Sequence, residues 1–242
     1  MANALQNENL IFFPGCEDET AYMEDRTSTP IKDPEDVKRV CDWFEEREMY
    51  LMKLVFIIGV NTAWRISDIL SLRWTEVLNP EDNTVRDYVL RPEKKTRKSK
   101  PKGRKVFLND IVKDSIAAYI ARYPNKVFTR NRLYIRNTYV FESERRPGTH
   151  ITRQFVDKWL KIAIADLDIN SHAGTHMMRK TFVYHHITQS KDRPRAIEQC
   201  MYLLNHSSIR ETLRYAGITE DEQRDAYHNV MLGTAIENVK EE

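Results

Sequence analysis

The chain has 242 residues, with 38 Lys and Arg against 36 Asp and Glu, so its formal net charge at pH 7 is only +2. A hydrophobic content of 41% is enough for one or two packed cores, while 31% charged residues and a mean hydropathy of −0.62 indicate a soluble protein. This composition excludes a collagen-like, disulfide-framed or wholly disordered chain.

The charge is distributed unevenly along the chain. Residues 1–48 contain 13 acidic and 5 basic side chains, and residues 219–242 contain 7 acidic and 2 basic ones. The remaining segment, residues 49–218, therefore carries a net charge of +15. The middle of the chain is a polycation between two acidic ends.

The sequence contains neither a membrane-spanning pattern nor an export signal. Its longest apolar stretch, residues 54–60, is far shorter than the ~20 residues that a spanning helix needs, and the N-terminus MANALQNENL lacks a basic region followed by an apolar one. The three cysteines, Cys16, Cys41 and Cys200, are odd in number and form no C-x-x-C pair, so they support neither a disulfide framework nor a zinc knuckle. We expect a reducing, cytoplasmic setting.

Helical periodicity dominates the chain and predicts a mostly α fold with a small antiparallel β-sheet. Residues 1–32 show no sustained periodicity and predict a flexible acidic arm. The segments TVRDYVL and KVFL predict two short strands around a basic turn at residues 91–105, and KVF at residues 126–128 predicts another strand. Helices are predicted from Pro34 onward, after the N-cap Asp33, at about residues 49–60 and 65–72, from Asn109 or Asp110 to 122, from Thr152 onward with Phe155 facing inward, and at about residues 177–189, 194–204, 209–215 and 220–231.

Four sequence pieces carry the chemistry. They are Arg65 in NTAWRISDILSLRW, His176 and Arg179 in GTHMMRKTF, His206 in LLNHSSIRETLRY, and Tyr215 nine residues after that histidine. His176 and Arg179 are three residues apart, so on a helix they share one face and can reach one small anion.

Adding Arg65 to Arg179 would form a two-arginine clamp. Guanidinium groups are planar and permanently charged, and they hold phosphate oxygens two at a time, so the clamp can neutralise a phosphodiester in its pentacovalent transition state. Metal-assisted hydrolysis normally needs clustered carboxylates or a His/Asp ligand set, and the sequence has no such cluster near these positions. The pattern predicts phosphoryl chemistry without a metal ion.

A break is expected between His206 and Tyr215. Nine residues at about 100° each would place the two side chains on opposite sides of one straight helix. The sequence Ser208-Ile209-Arg210-Glu211 matches a capping box, which starts a new helix and lets both side chains turn toward a common site. A tyrosine with an ordinary pKa near ~10 is a poor nucleophile at neutral pH, so an adjacent positive field must favour its phenolate.

The order of these residues and their flanks, RISDILSL and NHSS followed by TLRY, closely resembles the catalytic domain of the tyrosine recombinases, the phage and mobile-element integrases. The resemblance covers roughly residues 34–231. It implies that Tyr215 attacks a DNA phosphate, forms a 3′-phosphotyrosyl link and releases a 5′-hydroxyl. It also implies that the reaction consumes no cofactor.

The resemblance also assigns roles to the other residues. It implies that Arg65 and Arg179 stabilise the phosphate, that His176 assists proton transfer and that His206 hydrogen-bonds a non-bridging oxygen. Asp68, three residues after Arg65, takes the place of the acidic residue that supports the family's site.

The family uses a lysine in a turn between two strands as the general acid for the leaving 5′-oxygen. Residues 91–105 contain nine basic residues and one acid, and we choose Lys95 because the pair Lys95-Thr96 fits the family's Lys-Thr pair. The run is either a solvated loop or a turn that tracks phosphates in a DNA groove. The candidate DNA-binding residues are Arg91, Lys94, Arg97, Lys98, Lys100, Lys102, Arg104, Lys105 and Lys180.

The sequence departs from the family pattern at three positions beside the proposed site. Asn205 stands where a glycine commonly precedes the histidine, Lys180 stands where a histidine commonly follows the second arginine, and Trp64 replaces a smaller apolar residue. None of these changes removes a catalytic group. His185 and His186 follow on the helix of Arg179, and we interpret them as packing residues.

We expect three segments. These are the acidic arm over residues 1–32, a catalytic DNA-breaking and rejoining domain over residues 33–218, and a C-terminal helix and tail over residues 219–242 that docks on a neighbouring protomer or on its own domain. The family usually carries a separate helical DNA-binding domain before the catalytic one. Either this is a minimal recombinase or the chain is truncated, and the initial Met1 favours the first.

The expected function is site-specific recombination of double-stranded DNA, for integration, excision or inversion. A type IB topoisomerase-like relaxing enzyme and a catalytically silent DNA-binding regulator are the alternatives, and the intact residue set argues against the regulator. The expected partners are double-stranded DNA with specific recombination sites and an accessory DNA-bending or directionality protein. We expect the chain to be a monomer in solution and to form a homotetramer on paired DNA sites. We expect a cytoplasmic, DNA-associated bacterial protein with no membrane contact.

Overall fold

The computed structural model describes residues 28–91, 104–129, 134–218 and 224–225. Within these ranges the chain is mostly helical with two small antiparallel sheets, which confirms the predicted fold class. The helices are α1 (Pro34–Glu46), α2 (Tyr50–Asn61), α3 (Ile66–Leu70), α4 (Trp74–Val77), α5 (Asp110–Arg122), α6 (Pro124–Val127), α7 (Arg153–Asp166), α8 (Thr175–Thr188), α9 (Arg193–Leu204) and α10 (Ile209–Ala216). The strands are β1 (Tyr88–Arg91), β2 (Arg104–Phe107), β3 (Glu142–Ser143) and β4 (Arg146–His150).

Short polar side chains begin several of these helices. Asp33, Asn109, Thr152 and Ser208 each accept a hydrogen bond from a backbone N–H in the first turn of the helix that follows. Such a bond satisfies one of the donors that a helix start leaves unpaired. The predicted helix starts are confirmed, and Asn109 is the cap of α5.

The hydrophobic core has a larger and a smaller part. The larger cluster surrounds α2, which is buried on nearly every side and packs against α1, α5 and α8. The smaller cluster joins the second half of α8 to α9 and α10, through Val183, Ile187, Cys200, Leu204, Ala216 and Ile218. Helix α8 contributes Met177 and Met178 to the larger cluster, so it passes from one cluster into the other.

The two strands predicted around the basic run are confirmed. Strands β1 and β2 pair antiparallel, with Tyr88 opposite Phe107 and Arg91 opposite Arg104. The predicted general acid Lys95 and most of the DNA-binding candidates fall in residues 92–103, which lie outside the described residues. The predicted helix over residues 220–231 also lies outside them, apart from residues 224–225.

The strand predicted at residues 126–128 is wrong. Pro124 starts the short helix α6, and the backbone N–H of Phe128 donates to the carbonyl of Pro124. Proline at the first helical position has its φ already set for a helix, which outweighs the β-forming side chains that follow. Of residues 126–128, Phe128 alone makes a β-bridge, with Ile135.

The orientation predicted for Phe155 is also wrong, because its side chain is 42% exposed. The buried face of α7 consists of Val156, Leu160, Ala163 and Ile164. Phe155 lies beside this face and contacts the ring of Trp159 edge to face, at a centroid distance of 6.3 Å. One apolar residue at the margin of a helical stripe thus remains on the surface.

The hairpin of β3 and β4 has no counterpart in the sequence-based prediction. The residues of β4, RPGTH, are polar and mostly exposed, so they show no alternation of apolar and polar side chains. Among the residues that the structure describes, no helix combines the length and the apolar character needed to cross a membrane.

Candidate active site

Arg65 lies at the start of a short helix that the core holds firmly. It is the N-cap residue of α3, whose Ile66, Ile69 and Leu70 are buried. Asp68, in the first turn of the same helix, is only 2% exposed. The apolar side chains therefore anchor the helix while Arg65 remains half-buried at its end.

Helix α8 carries His176, Arg179 and Lys180. Its position is set by a close approach to α2, because a Cβ atom added to Gly59 would lie 2.5 Å from the sulfur of Met178. Only glycine permits that contact. Arg179 is 5% exposed, and its Nη2 donates to the carbonyl of Leu203 at 3.4 Å. His176, one turn earlier, is exposed.

The turn between α9 and α10 provides the predicted break between His206 and Tyr215. Asn205 ends α9 in the left-handed conformation, with φ 59° and ψ 44°. Asparagine tolerates this conformation better than other non-glycine residues, which explains how it replaces the family's glycine. Ser208 then caps α10, and Glu211 accepts a hydrogen bond from the N–H of Ser207, one residue earlier than a standard capping box requires.

The rings of His206 and Tyr215 come together across this turn. Their centroids are 5.4 Å apart and their planes are at 77°. His206 Nδ1 lies 3.1 Å from the hydroxyl of Thr212, which itself donates to the carbonyl of Ser208 at 3.3 Å. Because that hydroxyl has one hydrogen, it accepts from Nδ1–H of His206, and the neutral ring leaves Nε2 as an acceptor.

Two arginines contribute to the electrostatic field at both Tyr215 and His206. Burial raises the pKa of the Tyr215 phenol, and the charges of Arg179 and Arg65 act against that rise. Burial also lowers the pKa of His206, and the charges of Arg179 and Arg65 lower it further. The Glu211 carboxylate, 3.7 Å from Nε2 of His206, acts in the opposite direction and raises that pKa. Both rings therefore lie within the field of the same two guanidinium groups.

Lys180 contributes a further positive charge. Its Nζ lies 5.4 Å from the centroid of the Tyr215 ring, within the range of a cation–π contact. Lys180 is also one of the predicted DNA-binding residues, and its cation lies over the ring of the predicted nucleophile.

The structure thus brings together Arg65, Arg179, His206, Tyr215 and Lys180. His176 lies one turn before Arg179 on α8, Asp68 lies on the helix that Arg65 begins, and Lys95 is outside the described residues. In the described ranges no three His, Cys, Asp or Glu side chains are arranged to hold a metal ion.

Thr212, which orients His206, is not among the residues that the sequence predicts for the site. The residue is fully buried, and it lies four positions after the cap Ser208 and three before Tyr215. This spacing places it on the inner face of α10, but a single Thr on a helix face carries no functional signal of its own.

One family model and one known protein match most of this chain. A family model described as "Phage integrase family" matches residues 33–222. The chain is 34% identical over 201 residues to the probable integrase/recombinase YoeC of Bacillus subtilis (strain 168), which covers 82% of this chain and 94% of that protein.

Solved structures share the fold at low sequence identity. XerA recombinase matches with a TM-score of 0.57 and 16% identity, over 83% of this chain and 64% of that chain. XerH site-specific recombinase bound to palindromic difH substrate matches with a TM-score of 0.58 and 16% identity, over 82% of this chain and 52% of that chain. The Tn1549 transposon integrase in complex with transposon right end DNA matches with a TM-score of 0.53 and 15% identity, over 90% and 73%. This chain therefore spans about half to two thirds of the two Xer chains.

Proposed function

We propose that this chain, which belongs to the phage integrase family of tyrosine recombinases, cleaves and rejoins double-stranded DNA at specific sites through a covalent phosphotyrosyl intermediate. Family membership makes it a site-specific recombinase. The residue roles, the independence from metal ions and the mode of assembly are our proposals.

The observation that carries the proposal is the environment of Tyr215. A phenol is a weak nucleophile until its proton leaves, and burial alone would make that loss harder. Arg65 and Arg179 act in the opposite direction on the same hydroxyl. Two guanidinium groups near one tyrosine can also bind a phosphodiester. They would stabilise the negative charge that develops on its oxygens in the transition state.

The proposed step forms one bond and breaks one. The oxygen of Tyr215 attacks the phosphorus and the bond from phosphorus to the 5′-oxygen breaks, so the phosphate stays on the 3′-oxygen and links that strand to the tyrosine. His176 takes part in moving the tyrosine proton, and Lys95 gives a proton to the leaving 5′-oxygen. His206 contacts a non-bridging oxygen, which the Nε2 nitrogen can do as a donor once it is protonated.

We propose that the step needs no metal ion. In metal-dependent phosphoryl transfer, the cation neutralises the developing charge on the phosphate. Arg65 and Arg179 can supply that charge permanently, since a guanidinium remains protonated throughout the accessible pH range. Cleavage should therefore persist in buffer that contains a strong chelator.

The test is a covalent capture. A pool of duplexes with a nick beside a random central sequence would be incubated with the chain, denatured, and searched for DNA that stays attached to protein. We expect an adduct whose recovered sequences define the site. Tyr215→Phe should abolish the adduct while DNA binding stays within a few-fold, and Tyr202→Phe, an exposed tyrosine on α9, is the matched control. An adduct that survives in Tyr215→Phe would overturn the assignment.

We further propose that the chain works as a tetramer on two DNA sites, which distinguishes it from a relaxing enzyme of the type IB topoisomerase kind. The proposal rests on the sequence of residues 219–242, where Ala226, Tyr227, Val230 and Met231 are spaced as one apolar helix face. That face would dock on a neighbouring protomer in the bacterial cytoplasm, where the DNA lies.

A deletion of residues 219–242 tests the assembly. The shortened chain should still bind one site but should no longer join two sites in one complex. Gel mobility with labelled single and paired sites measures both. Recombination by the shortened chain would show that docking is not needed, and relaxation of a supercoiled plasmid without paired sites would favour the topoisomerase alternative.

A further inference from the structure

A segment before the first helix contacts both α8, which carries His176 and Arg179, and the end of α10, which carries Tyr215. We call residues 28–32 the strap. Sequence analysis placed them in a flexible arm, yet Pro30 is buried and Ile31 is only 1% exposed. The contacts that hold the strap come from residues more than 140 positions away in the chain, so local sequence patterns could not reveal them.

The backbone of Ile31 is bound on both sides by one face of α8. Its N–H donates to the hydroxyl of Thr181 at 2.9 Å, and that hydroxyl donates to the carbonyl of Met177 at 2.9 Å. The carbonyl of Ile31 lies 3.0 Å from Nε2 of His185, one turn further along α8. Nδ1 of His185 lies 3.1 Å from the amide of Gln189, which indicates that Nε2 carries the hydrogen that Ile31 accepts.

The strap is also fixed at the loop that leads into α8. The N–H of Thr29 donates to the carbonyl of His172 at 3.1 Å, and the N–H of His172 donates to the hydroxyl of Thr29 at 2.8 Å. Ser171 adds a bond from its hydroxyl to the carbonyl of Thr29 at 3.1 Å. The strap therefore contacts α8 before its first residue and again in its second and third turns.

The other side of the strap reaches the end of α10. Gly217 ends α10 in the left-handed conformation at φ +70°, and a Cβ atom added there would lie 3.4 Å from Cδ of Pro30. Ile31 belongs to the larger core cluster, whereas α10 belongs to the smaller one. The strap thus joins the smaller cluster, against which Tyr215 packs, to the larger cluster.

We propose that the strap is a positioning element for DNA cleavage. Through Thr181 and His185 it holds α8, and through Pro30 it supports the end of α10, so it sets the separation of Arg179 and Tyr215. This inference rests on the proposed function, because it assumes that both residues act on one phosphate. Thr181 and His185 are positioning residues, since they act through their contacts with the strap.

The first test removes one hydroxyl. Thr181→Val keeps the shape of the side chain but loses the acceptor for Ile31, while Thr181→Ser retains it. Displacing a reactive group by about 1 Å can slow a reaction by about 10²-fold, so we expect Thr181→Val to form the covalent adduct roughly tenfold to 10²-fold more slowly. DNA affinity should stay within a few-fold, and Thr181→Ser should recover most of the rate. Thr188→Val is the matched control, because Thr188 is exposed at the end of the same helix and its hydroxyl donates to the carbonyl of Tyr184, within that helix.

The second test uses the other anchor and covers the case in which Thr181→Val does not fold. His185→Leu loses the donor to Ile31, whereas His185→Gln can still supply an N–H. We expect the same loss for His185→Leu and the same recovery for His185→Gln, in single-turnover reactions with the captured site well below the melting temperature of each variant.

The outcomes separate the two proposals. Adduct formation by the unmodified chain tests the proposed function, and the ratio of variant to unmodified rate tests the strap. If folded Thr181→Val and His185→Leu cleave as fast as the unmodified chain, the strap has only a structural role and the inference is wrong. A loss shared equally by Thr188→Val, or not recovered by Thr181→Ser, would also overturn it.

Discussion

The rings of His206 and Tyr215 meet edge to face at 5.4 Å between centroids, although nine residues separate them in the chain. The contact exists because Asn205 ends one helix in a left-handed turn and Ser208 starts the next. A histidine that follows the end of one helix can therefore act beside a tyrosine in the last turn of the next. His206 is held in this position by the buried hydroxyl of Thr212.

The first prediction concerns this histidine. His206→Ala should slow adduct formation by about 10²–10³-fold, as expected when one preorganised group is removed from a charged transition state. Thr212→Val should slow it less, because the ring remains but loses its orienting hydroxyl. Single-turnover cleavage measures both. The control is His172→Ala, because this exposed histidine contacts the strap only through backbone atoms, which the variant keeps. A normal cleavage rate in His206→Ala would show that this residue takes no part in the reaction.

The second prediction concerns the arginine clamp. Arg65→Ala and Arg179→Ala should each lower the cleavage rate by about 10²–10³-fold and DNA affinity much less. Arg179→Lys should remain impaired, since lysine keeps the charge but loses the planar pair of donors. Arg195→Ala, on the exposed side of α9, controls for the loss of positive charge. Circular dichroism must show that Arg179→Ala is folded, because this side chain is buried.

Local sequence signals predicted what depends on local structure. Asp33, Thr152 and Ser208 were assigned as helix starts because an N-cap needs only its own first turn. The break before Tyr215 followed from the same logic. The order of the candidate residues identified the family, since that order does not depend on how the chain folds.

Features that depend on distant contacts could not be predicted in this way. The strap at residues 28–32 is fixed by partners on α8, and nothing in its own sequence marks Ile31 as a core residue. The β3–β4 hairpin is polar on both faces, so no alternation identifies it. The charge of Lys180 predicts DNA binding, which stays a prediction, but charge alone does not indicate that the side chain also lies over the Tyr215 ring, since that depends on the packing of α8 against α10.

The third prediction concerns the general acid. Lys95→Ala should cleave ordinary DNA slowly but should regain its rate on a substrate with sulfur in place of the bridging 5′-oxygen, because a thiolate leaves without a proton. The comparison uses Lys94→Ala, Lys98→Ala and Lys100→Ala on the same two substrates. If one of these is rescued and Lys95→Ala is not, the general acid is that other lysine.

The fourth prediction concerns stability and pH. Burial lowers the pKa of both His185 and His206 in the folded protein. The unfolded chain therefore binds more protons below a pH of about 6.5, and the free energy of unfolding should fall as the pH drops through that region. His185→Gln, which keeps a donor for Ile31, should make this decline shallower. Urea unfolding between about pH 8 and about pH 5 measures it, and an unchanged decline in the variant would show that folding does not lower the pKa of His185.

The last prediction concerns Lys180, whose Nζ lies 5.4 Å from the centre of the Tyr215 ring. A cation in this position attracts a phenolate more strongly than a phenol, because the phenolate carries a full negative charge, and a difference of about 1.4 kcal/mol corresponds to tenfold in rate. Arg65, Arg179 and His206 act on the same tyrosine, so Lys180 is one contributor among several.

We therefore expect Lys180→Met to cleave about tenfold more slowly at neutral pH and to shift its rate profile to higher pH, because the pKa of Tyr215 would rise. Lys180→Arg should keep most of the rate. Lys158→Met is the matched control, since Lys158 lies 5.9 Å from the ring centroid of Trp159, on another helix. If Lys180→Met loses DNA affinity but keeps an unshifted pH profile, then the residue serves only to bind the phosphate backbone and does not act on the nucleophile.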